Sequence, residues 1–290
     1  MRIERAAITF EPRTAANCLD LAMKFVGEHL RELLLLWVVV ALPSCALVYV
    51  LSRWFLWDLR VAASIAFLAT SPLGVFLSLI SLPAMFGAPF SFRSLFMNLR
   101  RNGASLLGKG VLLRLAEGVG LVLCVVPGAW IMLRTGFFIE QAWFGSEQSE
   151  RDANRANRLL QAAGGDLLMR ACAIVSFCAL LVVVVFFLVD YAADILFGFP
   201  ILVGRIAESL PLGEGFGGSG FDPSAVLSDM FYLGWNDPRV LTTLTGVVLL
   251  VYTIGRLAWF FCYVDVQVRQ DLWDVQLEFT RHASRLEKEQ

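Results

Sequence analysis

Four ionisable side chains stand inside stretches that are otherwise apolar: Arg114, Glu117, Arg134 and Arg256. Guanidinium and carboxylate groups in a dry setting can do two things. Paired, they clamp helices together; facing an opening, they form a polar pocket for a lipid headgroup or a solute. An unpaired arginine at the centre of a bilayer costs roughly 2.5–3.5 kcal/mol on translocon scales, so partners are expected. Arg114 and Glu117 are three residues apart, on neighbouring faces of one helix, and can touch. Glu117 and Arg134 flank the turn Pro127-Gly128. At 1.5 Å rise per residue, Arg134 lies about 10 Å below that turn and Glu117 about 15 Å below it. An arginine side chain covers the remaining offset of ~5 Å. The spacing therefore predicts that Arg134 pairs with Glu117 while Arg114 shares the same carboxylate. Ala116, Gly118 and Gly120 add small residues that let this helix approach its neighbours, which predicts a central position for it.

Other chemistry finds little support. No nucleophile–base arrangement, phosphate loop or metal cluster stands out, so no catalytic residue, metal or cofactor is expected, and the chain reads as a non-enzyme. GEGFGG, Gly213 to Gly218, matches the glycine spacing of a dinucleotide loop, but it follows no strand and opens no helix; it reads as a flexible loop. The six cysteines form no CxxC and read as small packing residues. His29 and His282, the only histidines, are far apart, which argues against zinc. A net charge of −1 with no long basic run argues against nucleic acid.

The elements that must carry the four charges are set by composition. The chain is 58% hydrophobic and 17% charged, with mean hydropathy +0.68. Soluble domains carry about 25% charged residues. The apolar residues fall in blocks of roughly 20, the length of a membrane-crossing helix. The reading is an all-α bundle of six spans, at about 33–51, 62–88, 105–126, 129–144, 167–189 and 240–264, with interfacial amphipathic helices. Residues 1–32 form a cytoplasmic or interfacial helix, 33–264 the membrane domain, and 265–290 a cytoplasmic tail helix. Pro72 and Pro83 are expected to bend the second span. Seventeen Lys and Arg fall on the side of the two termini and four on the other, so both termini are expected in the cytoplasm.

The connection 190–237 differs in kind. It carries seven acids, among them Asp190 and Asp237, and is expected to be external. Within it, ILFGFPILVG is too short to span, and it is expected to lie at the interface or dip back into the protein. Three polar lead-ins share one plan, a helix-prone stretch, a glycine or Asn-Gly break, then "LL" and a span: CLDLAMKFVGEHLRELLLL, SFRSLFMNLRRNGASLLGKG and DANRANRLLQAAGGDLLMRA. They suggest three units of interfacial helix plus transmembrane hairpin.

The stretch VPGAWIMLRTGFFIEQAWFGSEQSERDANRANRLLQAAGGDLLMR and the ending FCYVDVQVRQDLWDVQLEF resemble a broad group of bacterial membrane proteins. That group includes the membrane domain of some glycerophosphoryl diester phosphodiesterases and stand-alone six-span relatives. The matching residues are Pro127, Gly128, Arg134, Glu140, Tyr263, Asp265, Arg269 and Asp271; Gln267 and Leu272 depart from the pattern. The resemblance implies a bacterial inner-membrane location. It does not carry over phosphodiesterase activity, whose soluble domain has no counterpart here. Asp265 and Arg269 form an i,i+4 pair on a tail helix that reads as solvated or as a docking site. Glu140 and Arg256 read as interfacial. The expected role is a membrane scaffold or assembly partner, contacting membrane lipids and a protein partner at the cytoplasmic face or the external loop. The alternative is a transporter or lipid-handling protein with its polar site at Arg114, Glu117 and Arg134.

Overall fold

The computed structural model describes residues 14–55, 58–85, 104–123, 131–132, 136, 149–203, 205 and 223–271. Among these residues the structure is helical throughout, with seven helices and no strand. They are α1 (Ala15–Glu28), α2 (Leu30–Phe55), α3 (Leu59–Met85), α4 (Ala104–Leu123), α5 (Ser149–Phe197), α6 (Pro223–Asn236) and α7 (Pro238–Asp271). Four stretches are long and apolar enough to cross a membrane: Leu30–Phe55, Leu59–Ser81, Gly165–Phe197 and Pro238–Val266. The predicted fourth span, 129–144, lies almost wholly outside the described residues. α4 carries Lys109, Arg114 and Glu117 and is not one of the four.

The chain divides into two units. One comprises Met1–Leu36, Ser71–Phe177 and Thr253–Gln290; the other comprises Trp37–Thr70 and Cys178–Tyr252.

The second unit is built on α2, α5 and α7. Pro43 lies inside α2 without ending it, and the Ser44 hydroxyl donates to the Val40 carbonyl one turn back. In membrane helices such hydroxyls help to satisfy backbone groups near a proline. α2 is tied to α7 by Trp37 Nε1, which donates to the Gly246 carbonyl at 3.2 Å, and by the Cys45 thiol, 3.5 Å from the Thr242 carbonyl. At Gly246 a Cβ would make ordinary contact, 3.4 Å from Cys45 Sγ and 3.9 Å from the Trp37 ring, with no room for more. Close packing at small residues matters in lipid because burying apolar surface there gains little over the acyl chains.

The segment after α5 turns back on it. Gly198 takes φ +60°, a left-handed conformation open to glycine. Ile201 and Leu202 then bury themselves among Phe186, Val240, Val247 and Val251. The turn is held by Asp190, 2% exposed, whose Oδ1 accepts the amides of Ile201 and Leu202 at 3.1 and 3.0 Å and whose Oδ2 accepts that of Val203 at 2.9 Å. The sequence reading counted Asp190 as a loop acid; α5 runs seven residues further, to Phe197, and encloses it.

Two further differences come from local chemistry. The second half of the external connection contains α6, which Pro223 opens at its first position, where a missing N–H costs nothing. Asp237 alone separates α6 from α7. Its N–H donates to the Leu233 carbonyl, its Oδ1 caps the Arg239 amide at 2.8 Å, and its other oxygen pairs with Arg205. The third lead-in has no break either. α5 runs 49 residues through Gly164-Gly165, roughly 70 Å at the helical rise, more than twice the hydrocarbon thickness. By contrast α1 does end, at His29, before α2 starts at Leu30. Likewise α3 continues through Pro72 and Pro83 to Met85.

Asp190→Ala removes the acceptor of three amides, two of them buried. The expected loss is about 2 kcal/mol or more, seen as a lower thermal midpoint in detergent and as faster hydrogen exchange at 201–203. At the α2–α7 contact, Gly246→Ala is expected to be close to neutral and Gly246→Leu to destabilise, because only the longer side chain must displace Trp37 or Cys45. Parallel thermal melts of the two variants check this.

Candidate functional site

The buried charges gather in the first unit, which α7 threads with Arg256, Cys262, Tyr263 and Asp265. All four side chains are buried. Within this unit α7 meets α5, α3 and Gly136.

Against α5, Asp265 takes Arg170. Arg170 Nη1 lies 2.6 Å from Asp265 Oδ2, and its Nη2 lies 2.9 Å from Asp166 Oδ2, one turn back on α5. Arg170 and Asp265 are 4% and 3% exposed, whereas the Asp166 side chain is open to the surroundings. Leu167, Tyr263 and Val266 pack together beside this pair, with Trp259 against them. Cys262 is in side-chain contact with Arg170 and with Cys18 of α1. α1 presents Cys18, Ala22 and Phe25 on one buried stripe, at i, i+4 and i+7. Phe25 meets Phe261 edge-on at 6.0 Å and stacks on His29 at 4.6 Å. Among the described residues Cys18, Cys45, Cys172, Cys178 and Cys262 are not joined in disulfides.

Against α3 and Gly136, the contact is Arg256. Its Nη2 donates to Ser78 Oγ at 3.2 Å and its Nη1 to the Gly136 carbonyl at 2.9 Å. Gly136 has no room for a side chain: a Cβ would fall 2.8 Å from both Trp259 Nε1 and the Met132 carbonyl. Arg256 and Trp259, three apart on α7, thus grip the glycine from two sides.

On α4, Arg114 Nη1 lies 2.6 Å from Glu117 Oε2; Glu117 is buried and Arg114 is partly exposed. Arg134 and Glu140 lie outside the described residues, as do the side chains of Arg269 and Asp271.

Two sequence expectations change here. Arg256 does not reach outward to an interface; it is 6% exposed and bonds inward, because Ser78 and the Gly136 carbonyl offer acceptors at its own depth. Asp265 is not on a solvated face, since Arg170 draws α7 against α5 at that point. On α4, Val111, Leu112, Leu115, Ala116 and Val119 are exposed while Gly110, Glu117 and Gly120 are buried, and a Cβ at Gly110 would fall 2.8 Å from Ser71 Oγ of α3. Of the four membrane-length stretches α7 is the most enclosed, with 67% of its apolar window buried against 11% for α5.

Arg170 and Asp190 were the residues missed as candidates. Both stand at the ends of the apolar run between them, where a charge reads as the start of a loop. The available signal was the hydropathy on both sides: Leu-Leu-Met precedes Arg170, and Ile195 to Phe199 follow Asp190.

Among the described residues no group of three or more His, Cys, Asp or Glu is placed to hold a metal ion. No protein-family model matches the chain, and neither the curated proteins nor the solved structures contain a significant match. Fold and site together define an all-helical protein with four helices suited to crossing a membrane and interior arginines held by specific partners.

Leucine replacement of Arg170 or Asp265 alone leaves the other charge buried without its main partner, and each is expected to cost about 3–5 kcal/mol. The double replacement is expected to cost less than the sum of the two. A double-mutant cycle on unfolding in detergent measures the coupling; additive effects would show that the two side chains do not act as a pair.

Proposed function

We propose that this chain is a multi-pass protein of a bacterial cytoplasmic membrane, with six spans and both termini in the cytoplasm, acting as a non-enzymatic scaffold or assembly partner. On this reading the four membrane-length helices are joined by α4 and by a span at 129–144. The orientation rests on the Lys and Arg bias, which survives the transfer of Arg170 from loop to interior. The resemblance to the membrane domain of glycerophosphoryl diester phosphodiesterases and its stand-alone relatives agrees with this placement and brings no phosphodiesterase chemistry.

One observation carries the scaffold reading. Three arginines bond to fixed groups of the protein: the buried Arg170 to two carboxylates, the buried Arg256 to Ser78 and a backbone carbonyl, and the partly exposed Arg114 to Glu117. A transport or lipid-handling site needs charges that exchange partners with a ligand, whereas a clamp needs charges that stay where they are. The surfaces left for partners are the outer face of α1, the tail beyond Val266 carrying Arg269 and Asp271, and the external connection. The partners are membrane lipids and a protein at the cytoplasmic face or the external loop.

Native mass spectrometry of the protein extracted from its own membranes in mild detergent tests this. The expected result is a protein partner at fixed stoichiometry and no specifically retained small molecule. A lipid or solute retained by the wild type, and lost in an Arg256→Leu variant that still folds, would overturn the scaffold reading in favour of lipid handling or transport.

A further inference from the structure

The second unit carries an aromatic surface that its own packing does not use. On α6, Met230 and Leu233 face inward and pack against the cluster of Phe186, Ile201 and Leu202. The other face shows Phe231 at 73% exposure and Tyr232 at 68%, with Trp235 one turn further on. These three, with exposed Ser228, stand at i, i+3, i+4 and i+7 and so form one stripe. α6 is thus apolar on two faces, only one of which the described residues cover.

Three observations say what covers the other. First, α6 passes through Asp237 alone into the membrane-length stretch Pro238–Val266, so its end lies at the end of a span. Second, Trp235 Nε1 donates to Asp58 Oδ2 at 3.3 Å, and the Arg60 guanidinium sits 5.7 Å over the Trp235 ring. Asp58 follows the membrane-length stretch Leu30–Phe55 closely and Arg60 lies in the first turn of α3, so Trp235 lies at the same boundary of two further spans. Third, the tryptophan keeps its polar edge on a carboxylate beside an exposed cation while the stripe it belongs to stays apolar. Trp and Tyr take this arrangement at the headgroup level of a bilayer, where one end of the ring is wet and the other is not.

We infer that the outward face of α6 is a bilayer-docking surface, with Phe231 and Tyr232 seated at the boundary between headgroups and acyl chains. The inference rests on the membrane reading above. The second half of the connection 190–237 then lies on the membrane and is not a free external domain. α6 contains no Lys or Arg, so the attraction is apolar burial and does not depend on anionic lipid.

The test places the photoreactive aromatic p-benzoylphenylalanine at Phe231 or at Tyr232, an aromatic for an aromatic on an exposed face. Leu180, 66% exposed in the middle of the α5 span, receives the same probe as reference. The full chain is reconstituted into phosphatidylcholine vesicles, with and without phosphatidylglycerol, irradiated and weighed by mass spectrometry. The expected result is a mass gain of one phospholipid at 231, 232 and 180 in both vesicle types. A lipid adduct at 180 with none at 231 and 232 would overturn the inference and leave the membrane reading standing. No adduct at any of the three positions would overturn both. Adducts at 231 and 232 that need phosphatidylglycerol would overturn the apolar mechanism. A protein cross-link at these two positions in native membranes, replacing the lipid adduct, would assign the face to a protein instead.

Discussion

A charge or backbone amide carried into an apolar interior must be answered by another group of the same chain. In hydrocarbon no water stands in for a missing partner, and each unsatisfied group costs several kcal/mol. The contacts of this protein follow from that constraint. Arg170 draws α7 to α5 because Asp265 is at hand; Arg256 gathers α3 and Gly136 through Ser78 and the Gly136 carbonyl. Asp190 does the converse, a buried carboxylate that collects three amides which a turn would otherwise leave without acceptors. In each case the polar group specifies where the chain must go, while the surrounding Leu, Val and Phe side chains fill space without choosing a direction.

α7 is the helix on which these demands converge. In one unit it offers Gly246 and the Thr242 carbonyl to α2; in the other it offers Arg256, Cys262 and Asp265. Its enclosure has a compositional cause. Glycines, threonines and an arginine interrupt its apolar residues and give it something to present on several faces. α5, apart from Arg170, Cys178 and Asp190, presents mainly Val, Leu and Phe between 171 and 189, and most of that surface is left for the surroundings. Hydrophobicity alone thus ranks the two helices in the wrong order for a central position. The more apolar helix is the more exposed one, as is natural where lipid is the solvent.

The same inversion bears on the connection after α5. Read against water, an acidic, glycine-containing stretch looks like a free loop. Its described parts are a turn folded back into the unit and a helix with an uncovered aromatic stripe. Two of its acids have particular duties: Asp190 holds the turn, and Asp237 joins two helices and pairs with Arg205.

The sequence by itself determined what depends on local content. Helical class and four membrane-length stretches follow from the length and hydropathy of contiguous blocks. The Arg114–Glu117 contact needs only a helix, since residues three apart face each other wherever the helix goes. Tertiary structure decided everything that joins distant positions. Arg170 and Asp265 are 95 residues apart, and Arg256 and Gly136 are 120 apart. Nothing in the neighbourhood of any of them names its partner. Whether a charge at the end of an apolar run turns outward or inward depends on which acceptors the other helices bring to its depth. That is a property of the packed bundle, and so Arg170, Asp190, Arg256 and Asp265 could be seen as polar from the sequence but could be placed only from the fold.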